Sequence, residues 1–513
     1  MDACGECYPN FTYNVTSTGV ESTPYKAVFP TVTTLASPVA TSTDRQFGAY
    51  FQDDWRVNSQ LEVNLGVRWD VEWNGNFLNW VTPSYITNML NSTSPYNGQT
   101  WAQLYASGPY GYNVNDYISN GSNRKPNMGE IQPRLGFSYD VNGDQKTVIV
   151  GGIGRSYDRD LFDYLQLEQV KLATSPGSVS FNTASHPCTV NGVSCLNWNT
   201  SYLNGPQALQ QAVAGTVGDV FLTNNNLKAP YSDQFSLGIH TQLGEWQNSA
   251  TISRVNSHNG FTFLVGARGA GGAFWVPEPW GGLGTPWDVS PGVTTPNGMS
   301  GNLVLSSNGV ESRTTQVLLS TEKPFTKESG WGVKVAYTFT DSVSNSYTGD
   351  LDGGFTQNEF SANWPTMAQS PFVRSNLAPR HRLVATGSWQ GPWDVIVGGK
   401  ITVATPTTDV IDGSCLASGT FPAGNPCTMV AINPPDTLGY RSLDLQFTKN
   451  FTVWNSTKAY IRADVLNVFN YFNLVDYNTT SGSNGLVNGV SYNQNGNIGG
   501  SPRTLRITVG GKF

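Results

Sequence analysis

Residues 47–74 read FGAYFQDDWRVNSQLEVNLGVRWDVEWN. From Leu61 onward the pattern is strict. Leu61, Val63, Leu65, Val67, Trp69, Val71 and Trp73 share one parity, and Glu62, Asn64, Gly66, Arg68, Asp70 and Glu72 share the other. Successive side chains of a strand point to opposite faces, so this is a strand with one apolar and one polar face. It exceeds the usual strand of about 5–6 residues. It suits a tilted strand that crosses a membrane, which needs roughly 9–11. Phe47, Ala49, Phe51, Trp55 and Val57 share a parity just before it, and a tight turn at Asn58-Ser59 joins the two runs.

The same alternation recurs down the chain. Leu135, Phe137, Tyr139 and Val141 show it, as do Phe235, Leu237, Ile239 and Leu243. So do Trp331, Val333, Val335, Tyr337 and Phe339, then Trp393, Val395, Val397, Ile401 and Val403. Leu443, Leu445 and Phe447 follow, then Ala459, Ile461, Ala463 and Val465, and finally Leu505, Ile507, Val509 and Phe513. About thirteen strands result. Short links stand near 58–59, 142–146, 244–247, 323–330, 390–393 and 452–456. Long links stand at 76–130, 158–230, 258–309, 343–378, 405–437 and 471–500. Short and long alternate strictly, as in a transmembrane barrel with short periplasmic turns and long extracellular loops. The fold class is therefore all-β, an antiparallel transmembrane β-barrel. Two short helices are expected in the loops, near 161–174 and 206–215.

Composition agrees. The 513 residues hold 29 Lys+Arg and 36 Asp+Glu, a net charge of −7. That balance argues against a nucleic-acid partner, which wants a basic patch. Hydrophobic residues make up 38%, and no run of about 18 apolar residues could form a transmembrane helix. Aromatics make up 12%, which argues against disorder.

Several stretches together resemble TonB-dependent outer-membrane receptors of the Oar-like β-barrel class. They are residues 47–74, QPRLGFSYDVNGDQKTVIVGGIGRSYDR (132–159), NLKAPYSDQFSLGI (226–239), APRHRLVATGSW (378–389), YIRADVLNVFNYFN (460–473) and the terminal PRTLRITVGGKF. The resemblance implies a barrel of 22 strands around a plug that takes up a scarce ligand, a siderophore, an oligosaccharide or similar. Energy would come from the TonB complex, acting through a plug and a box not found in this sequence. With thirteen strands the chain would be the C-terminal part of such a receptor. Residues 1–43 would form an N-terminal loop-like segment and 44–513 a partial barrel. The opening MDACGECYPNFTYNVTS has neither the basic nor the apolar region of a secretion signal. The alternatives are a passive porin-like channel and a secreted carbohydrate-binding or adhesive β protein.

Site expectations follow. Leu505, Ile507, Val509 and Phe513 resemble the terminal signal read by the barrel-assembly machinery, against an ordinary closing strand. Trp55, Trp69, Trp73, Trp331, Trp389 and Trp393 lie towards strand ends and suit aromatic girdles in contact with outer-membrane lipid, against core packing in a sandwich. Arg68, Asp70, Glu72, Arg134, Asp140, Arg462 and Asp464 lie on polar faces that point into a lumen, as ligand contacts or as solvated structural charges. Trp275, Trp280 and Trp287 stand in a long loop, where they could stack on a ligand or pack on the loop itself. Cys188/Cys195 and Cys415/Cys427 read as local disulfides of an oxidising compartment, and Cys4/Cys7 as a loop disulfide or free thiols. His186, His240, His258 and His381 are scattered. No catalytic, cofactor or metal motif emerges, so an enzyme is not expected.

Overall fold

A computed structural model of the chain describes residues 9–16, 19–20, 22–30, 43–93, 98–106, 112–159, 165, 168–169, 176–183, 195–212, 220–265, 268–269, 293–294, 303–345, 372–374, 378–407, 409–412, 429–432, 439–454, 457–473, 477–481, 487–492 and 500–512. Thirteen strands make its wall. They are β1 (Asp44–Arg56), β2 (Leu61–Asn74), β3 (Glu130–Asp140), β4 (Thr147–Tyr157), β5 (Tyr231–Leu243), β6 (Trp246–Val265), β7 (Leu303–Lys323), β8 (Trp331–Ser344), β9 (His381–Gln390), β10 (Val395–Ala404), β11 (Tyr440–Trp454), β12 (Thr457–Leu466) and β13 (Thr504–Lys512). Each pairs antiparallel with its neighbours in sequence, and the order runs from β1 to β13 without a crossover.

The register keeps the two faces apart across the wall. Asn64, Gly136, Gly152, Ser236, Ser253, Gln316 and Thr340 form one polar row over seven strands. Val63, Phe137, Gly151, Leu237, Ile252, Val317 and Phe339 form the adjacent row on the other face. A slip of one residue would put every apolar side chain on the wrong face, so the pattern itself fixes the register. The apolar row includes one glycine for a reason of space. A Cβ on Gly151 would lie 2.5 Å from the Phe137 ring, so the ring occupies the room that the missing side chain leaves.

The short links are built by their own side chains. The Asn58 carboxamide oxygen accepts from the N–H groups of Gln60 and Leu61, both at 2.8 Å. Asp140 accepts from Gly143 N–H at 3.0 Å and Gln145 N–H at 2.8 Å. Gly244, with φ +58°, begins a two-residue hairpin between Leu243 and Trp246.

The described parts of the long links after β2 and β4 fold into an outer cap with cores of its own. Helices α1 (Gly75–Leu78), α2 (Ser84–Leu90) and α3 (Trp101–Ala106) follow β2. Ile86, Leu90, Trp101, Val114 and Tyr117 pack there against Val220 and Leu222 and against Leu303 and Leu305 at the start of β7. Val220–Thr223 runs parallel to the first residues of β7, which ties the cap to the wall. A second core holds Ala27, Phe29, Val179, Phe181 and Leu209. In it Lys26–Pro30 pairs with Pro176–Phe181, so the segment before β1 joins the long link between β4 and β5. Helix α4 (Pro206–Ala212) lies within the expected range, and most of 161–174 lies outside the described residues.

One buried ion pair pins the cap. The Arg124 guanidinium bonds Glu168 at 2.8 and 3.2 Å, the Thr223 carbonyl at 2.7 Å, the Asn225 side-chain oxygen at 3.0 Å and the Phe77 carbonyl at 3.4 Å. These contacts use all five of its N–H groups. Its side chain is 0% exposed and that of Glu168 2%. Burial pushes the Glu168 carboxyl above the usual carboxylate range, and the Arg124 charge opposes that shift. Breaking such a pair leaves a bare buried charge and costs about 3–5 kcal/mol.

Two outcomes follow. Glu168→Ala should make residues 76–129 and 158–230 protease-sensitive while hydrogen exchange in β2–β5 stays slow. Equal loss of protection in cap and wall would contradict the separate roles. Gly151→Val should destabilise the wall by about 1–3 kcal/mol through overpacking against Phe137, read as a lower temperature of loss of heat-modifiable gel mobility.

Candidate functional site

The polar face of β2–β6 is low in side-chain bulk. Gly66, Gly136, Gly152 and Gly154 stand there, with Ser236 and Ser253. The result is a concavity of about 820 Å³, rimmed by Gln52, Asn64, Arg134 and Gln234. Small residues let another molecule approach the wall backbone closely. Arg134 is exposed at this rim, and no hydrogen bond or carboxylate contact holds its guanidinium among the described residues. It is therefore a cation available to whatever enters.

The neighbouring charges are already engaged. Arg68 bonds Asp70 at 2.6 Å, and Asp70 also accepts from Gln132. Glu72 accepts from Gln46 on β1 at 2.6 Å. At the other end of the wall Asp464, almost buried, gathers Gln446 from β11 at 2.8 Å and Arg506 from β13 at 2.9 Å. Arg462 lies 3.3 Å from the same carboxylate. The bonds of Gln132 to Asp70, Gln46 to Glu72, and Gln446 and Arg506 to Asp464 link adjacent strands on the polar face, those of Arg68 and Arg462 stay within one strand, and Asp140 spends both oxygens on its turn. A second polar recess, about 350 Å³, lies where the cap meets the wall and is lined by Asp116, Asn224, Lys228, Asn259 and Asn308 among others.

The aromatic residues mark two levels on the opposite face. Trp55, Trp331, Trp389 and Trp393 stand at the short-turn ends, with Trp393 84% exposed. Trp246 belongs with them. Its ring meets that of Trp331 edge-on at 6.2 Å, and the Lys323 ammonium lies 4.5 Å over Trp331. Sequence reading passed over Trp246 although it stands beside a short link, the same signal that marked Trp331. Trp69 and Trp73 stand at the long-link end of β2, Trp69 donating to the Met128 carbonyl at 2.9 Å.

Leu505, Ile507 and Val509 project from β13 and are 65–71% exposed. Phe513 lies outside the described residues, as do Trp275, Trp280, Trp287, Cys4, Cys7, Cys188, Cys415 and Cys427. Cys195 is described through its backbone, in a two-residue strand beside Ser180 and Phe181. His240, His258 and His381 stand on β5, β6 and β9, His186 lies outside the described residues, and no group of three potential metal ligands occurs among the described residues.

Comparison with known proteins places this geometry. Residues 9–395 match the family described as outer membrane beta barrel domain. The outer membrane transporter YddB from Escherichia coli matches with a TM-score of 0.54 and 12% identity, over 98% of this chain and 48% of that one. The ferripyoverdine receptor of Pseudomonas aeruginosa matches at 0.43 and 12%, over 96% of this chain and 40% of that one. A mutant ferric enterobactin receptor (PfeA) from Pseudomonas aeruginosa matches at 0.44 and 13%, over 94% and 49%. This chain thus spans about half the length of these solved structures, or less. No curated protein matches it. At such identities the solved structures bear on fold alone. The family match covers more than half of the chain and most of the wall, so the chain belongs to the outer membrane beta barrel domain family and resides in the outer membrane.

Proposed function

We propose that this chain is the rear part of the barrel wall of a TonB-dependent outer-membrane receptor of the Oar-like class, which takes up a scarce ligand by energised transport. The observation that carries this reading is the direction of the two free edges. Twelve antiparallel steps separate β1 from β13, so the two strands run the same way. Direct closure would join them in parallel, whereas bacterial single-chain barrels close with an even number of antiparallel strands. An odd number of further strands completes the ring. A barrel of 22, as the sequence resemblance implies, supplies nine. A self-contained thirteen-strand porin lacks this solution, and an open seam would leave backbone groups unbonded in lipid at several kcal/mol each.

The similarity to a solved outer membrane transporter of about twice this length supports the same reading. Residues 1–43 then belong to an outer loop. The small-residue concavity around Arg134 is the wall surface that meets a plug or a passing ligand. The ligand is a small molecule or oligosaccharide. The TonB complex acts through plug and box, and the terminal sequence with Leu505, Ile507, Val509 and Phe513 is what the barrel-assembly machinery reads.

Two measurements test this. The coding sequence upstream of Met1 should continue in frame into nine strands and a plug. Cells with the intact gene should accumulate one of a panel of iron-55 siderophores and labelled oligosaccharides, and lose that uptake when a protonophore collapses the inner-membrane gradient. Uptake that persists without the gradient, together with steady conductance in planar bilayers, would establish the passive channel instead.

A further inference from the structure

The outward face of the wall changes character within one ladder step. The row of Val63, Phe137, Leu237, Ile252, Val317 and Phe339 carries no charge. The next row towards the cap begins with Asp53 near the short-turn end of β1, runs through Leu65, Leu135, Ile153 and Phe235, then continues as Arg254, Thr315 and Asp341. One step further stand Arg155, Asp233, Asn256 and Arg313. All share the parity that faces hydrocarbon lower down. A cationic side chain on that face costs about 2–4 kcal/mol at the bilayer midplane and about 0–1 near its edge. Arg254 stands eight residues beyond Trp246 along β6. That is roughly 27 Å along a strand at about 3.4 Å per residue. With a tilt of about 45° it puts Arg254 about 19 Å above Trp246, and the row of Arg155, Asn256 and Arg313, two residues further, at about 24 Å, the rim of an apolar band about 25 Å tall. The patch thus lies at the headgroups of the outer leaflet.

The charges of the patch are unequally answered. Arg155 forms a two-pronged bond with Asp233, at 2.7 and 2.8 Å. Arg254 bonds only neutral groups, Asn256 at 2.9 Å and Thr315 at 2.7 Å, and meets no carboxylate among the described residues. Those two bonds fix its plane and leave three N–H groups free. Arg313 lies 3.8 Å from Glu311 and 4.1 Å over the Phe372 ring, half exposed. Above them Tyr157, Tyr231 and His258 form a shelf of rings, the first pair tilted at 5.3 Å between centres and the second stacked at 4.9 Å, and Arg155 lies 4.3 Å over Tyr231. His258 also stands 3.7 Å from Glu311.

A planar guanidinium held by neutral neighbours suits phosphate, which it can grip with two parallel bonds. A shelf of Tyr and His rings at a membrane interface suits a sugar ring. We propose that this patch binds the headgroup of a phosphorylated glycolipid of the outer leaflet. Arg254 and Arg313 take the phosphate oxygens, and the Tyr157–Tyr231–His258 shelf supports the attached sugar. The site depends on the barrel fold and is independent of the transport reading.

The test uses the receptor extracted from outer membranes in mild detergent. Glycolipid phosphate retained per protein is measured by mass spectrometry. Arg254→Gln with Arg313→Gln should lower it at least about fivefold. Arg254→Lys with Arg313→Lys should keep part of it, and Lys334→Gln on the lumen face should leave it unchanged. A second measurement needs no variant. The same protein is placed in nanodiscs that hold lipopolysaccharide, enzymatically dephosphorylated lipopolysaccharide or phosphatidylglycerol. Hydrogen exchange over 231–258 should slow only with the first. Unchanged retention in the double Gln variant would overturn the site. So would equal protection by dephosphorylated lipopolysaccharide or by phosphatidylglycerol.

Discussion

Hydrocarbon offers a backbone no partner for its N–H and C=O groups. Everything else in this molecule follows from meeting that condition with strands. Each backbone group must find a neighbouring strand, so the wall runs from β1 to β13 in unbroken antiparallel order. The side chains are then free to serve two solvents. One parity meets lipid and the other meets water, which explains a chain that is only 38% hydrophobic and yet crosses a membrane.

That division also decides where chemistry can happen. On the lipid side a charge is costly except at the rim, and the outward arginines stand there. On the lumen side polar groups are cheap, so selection can vary bulk and charge freely. The concavity reflects this freedom: glycines lower its floor, and Arg134 is left available, while Arg68 is held by Asp70 on its own strand and Asp70 and Asp464 are consumed by bonds that join strands. The same polarity yields two outcomes, a cross-strand tie or an open contact, according to whether a partner lies across the ladder.

The wall was readable from the sequence because its constraint is local. Period-two alternation and the lengths of the links yield strand number, direction and face residue by residue. Parity predicts where Asp140 points but not that its oxygens are taken by Gly143 and Gln145. The cap was not readable. Ile86, Leu90, Trp101, Val114 and Tyr117 show no sustained period, and their partners Val220 and Leu303 lie far along the chain. Arg124 and Glu168 are 44 residues apart, and the carbonyl of Thr223 is 99 from Arg124. Nothing near Arg124 marks it as buried, since an arginine in a polar loop is ordinarily exposed. The pairing of Lys26–Pro30 with Pro176–Phe181 is equally non-local. Tertiary packing creates these contacts, and no window of sequence contains both sides.

Wall and cap meet through a change of parity. β6 and β7 have 20 and 21 residues, about twice what the bilayer requires. Their upper halves stand clear of the membrane. Between the halves the register shifts twice, at Ser257/Gly260 and Gly260/Phe261, where Asn259 has φ +57° and Gly309 φ +144°. A bulge inserts a residue on one strand and exchanges the faces beyond it. Below it, the odd residues Arg313, Thr315 and Val317 face outward with the lipid row. Above it, the odd residues Leu303 and Leu305 are buried in the cap core. The even residues Val304 and Ser306 are buried as well, so this end of β7 is covered on both faces. Replacing the glycine at 260 is opposed directly, because a Cβ there would lie 2.8 Å from Val310. The bulge is therefore the joint at which a membrane strand becomes part of a soluble core, and it lets one continuous strand satisfy two solvents in succession.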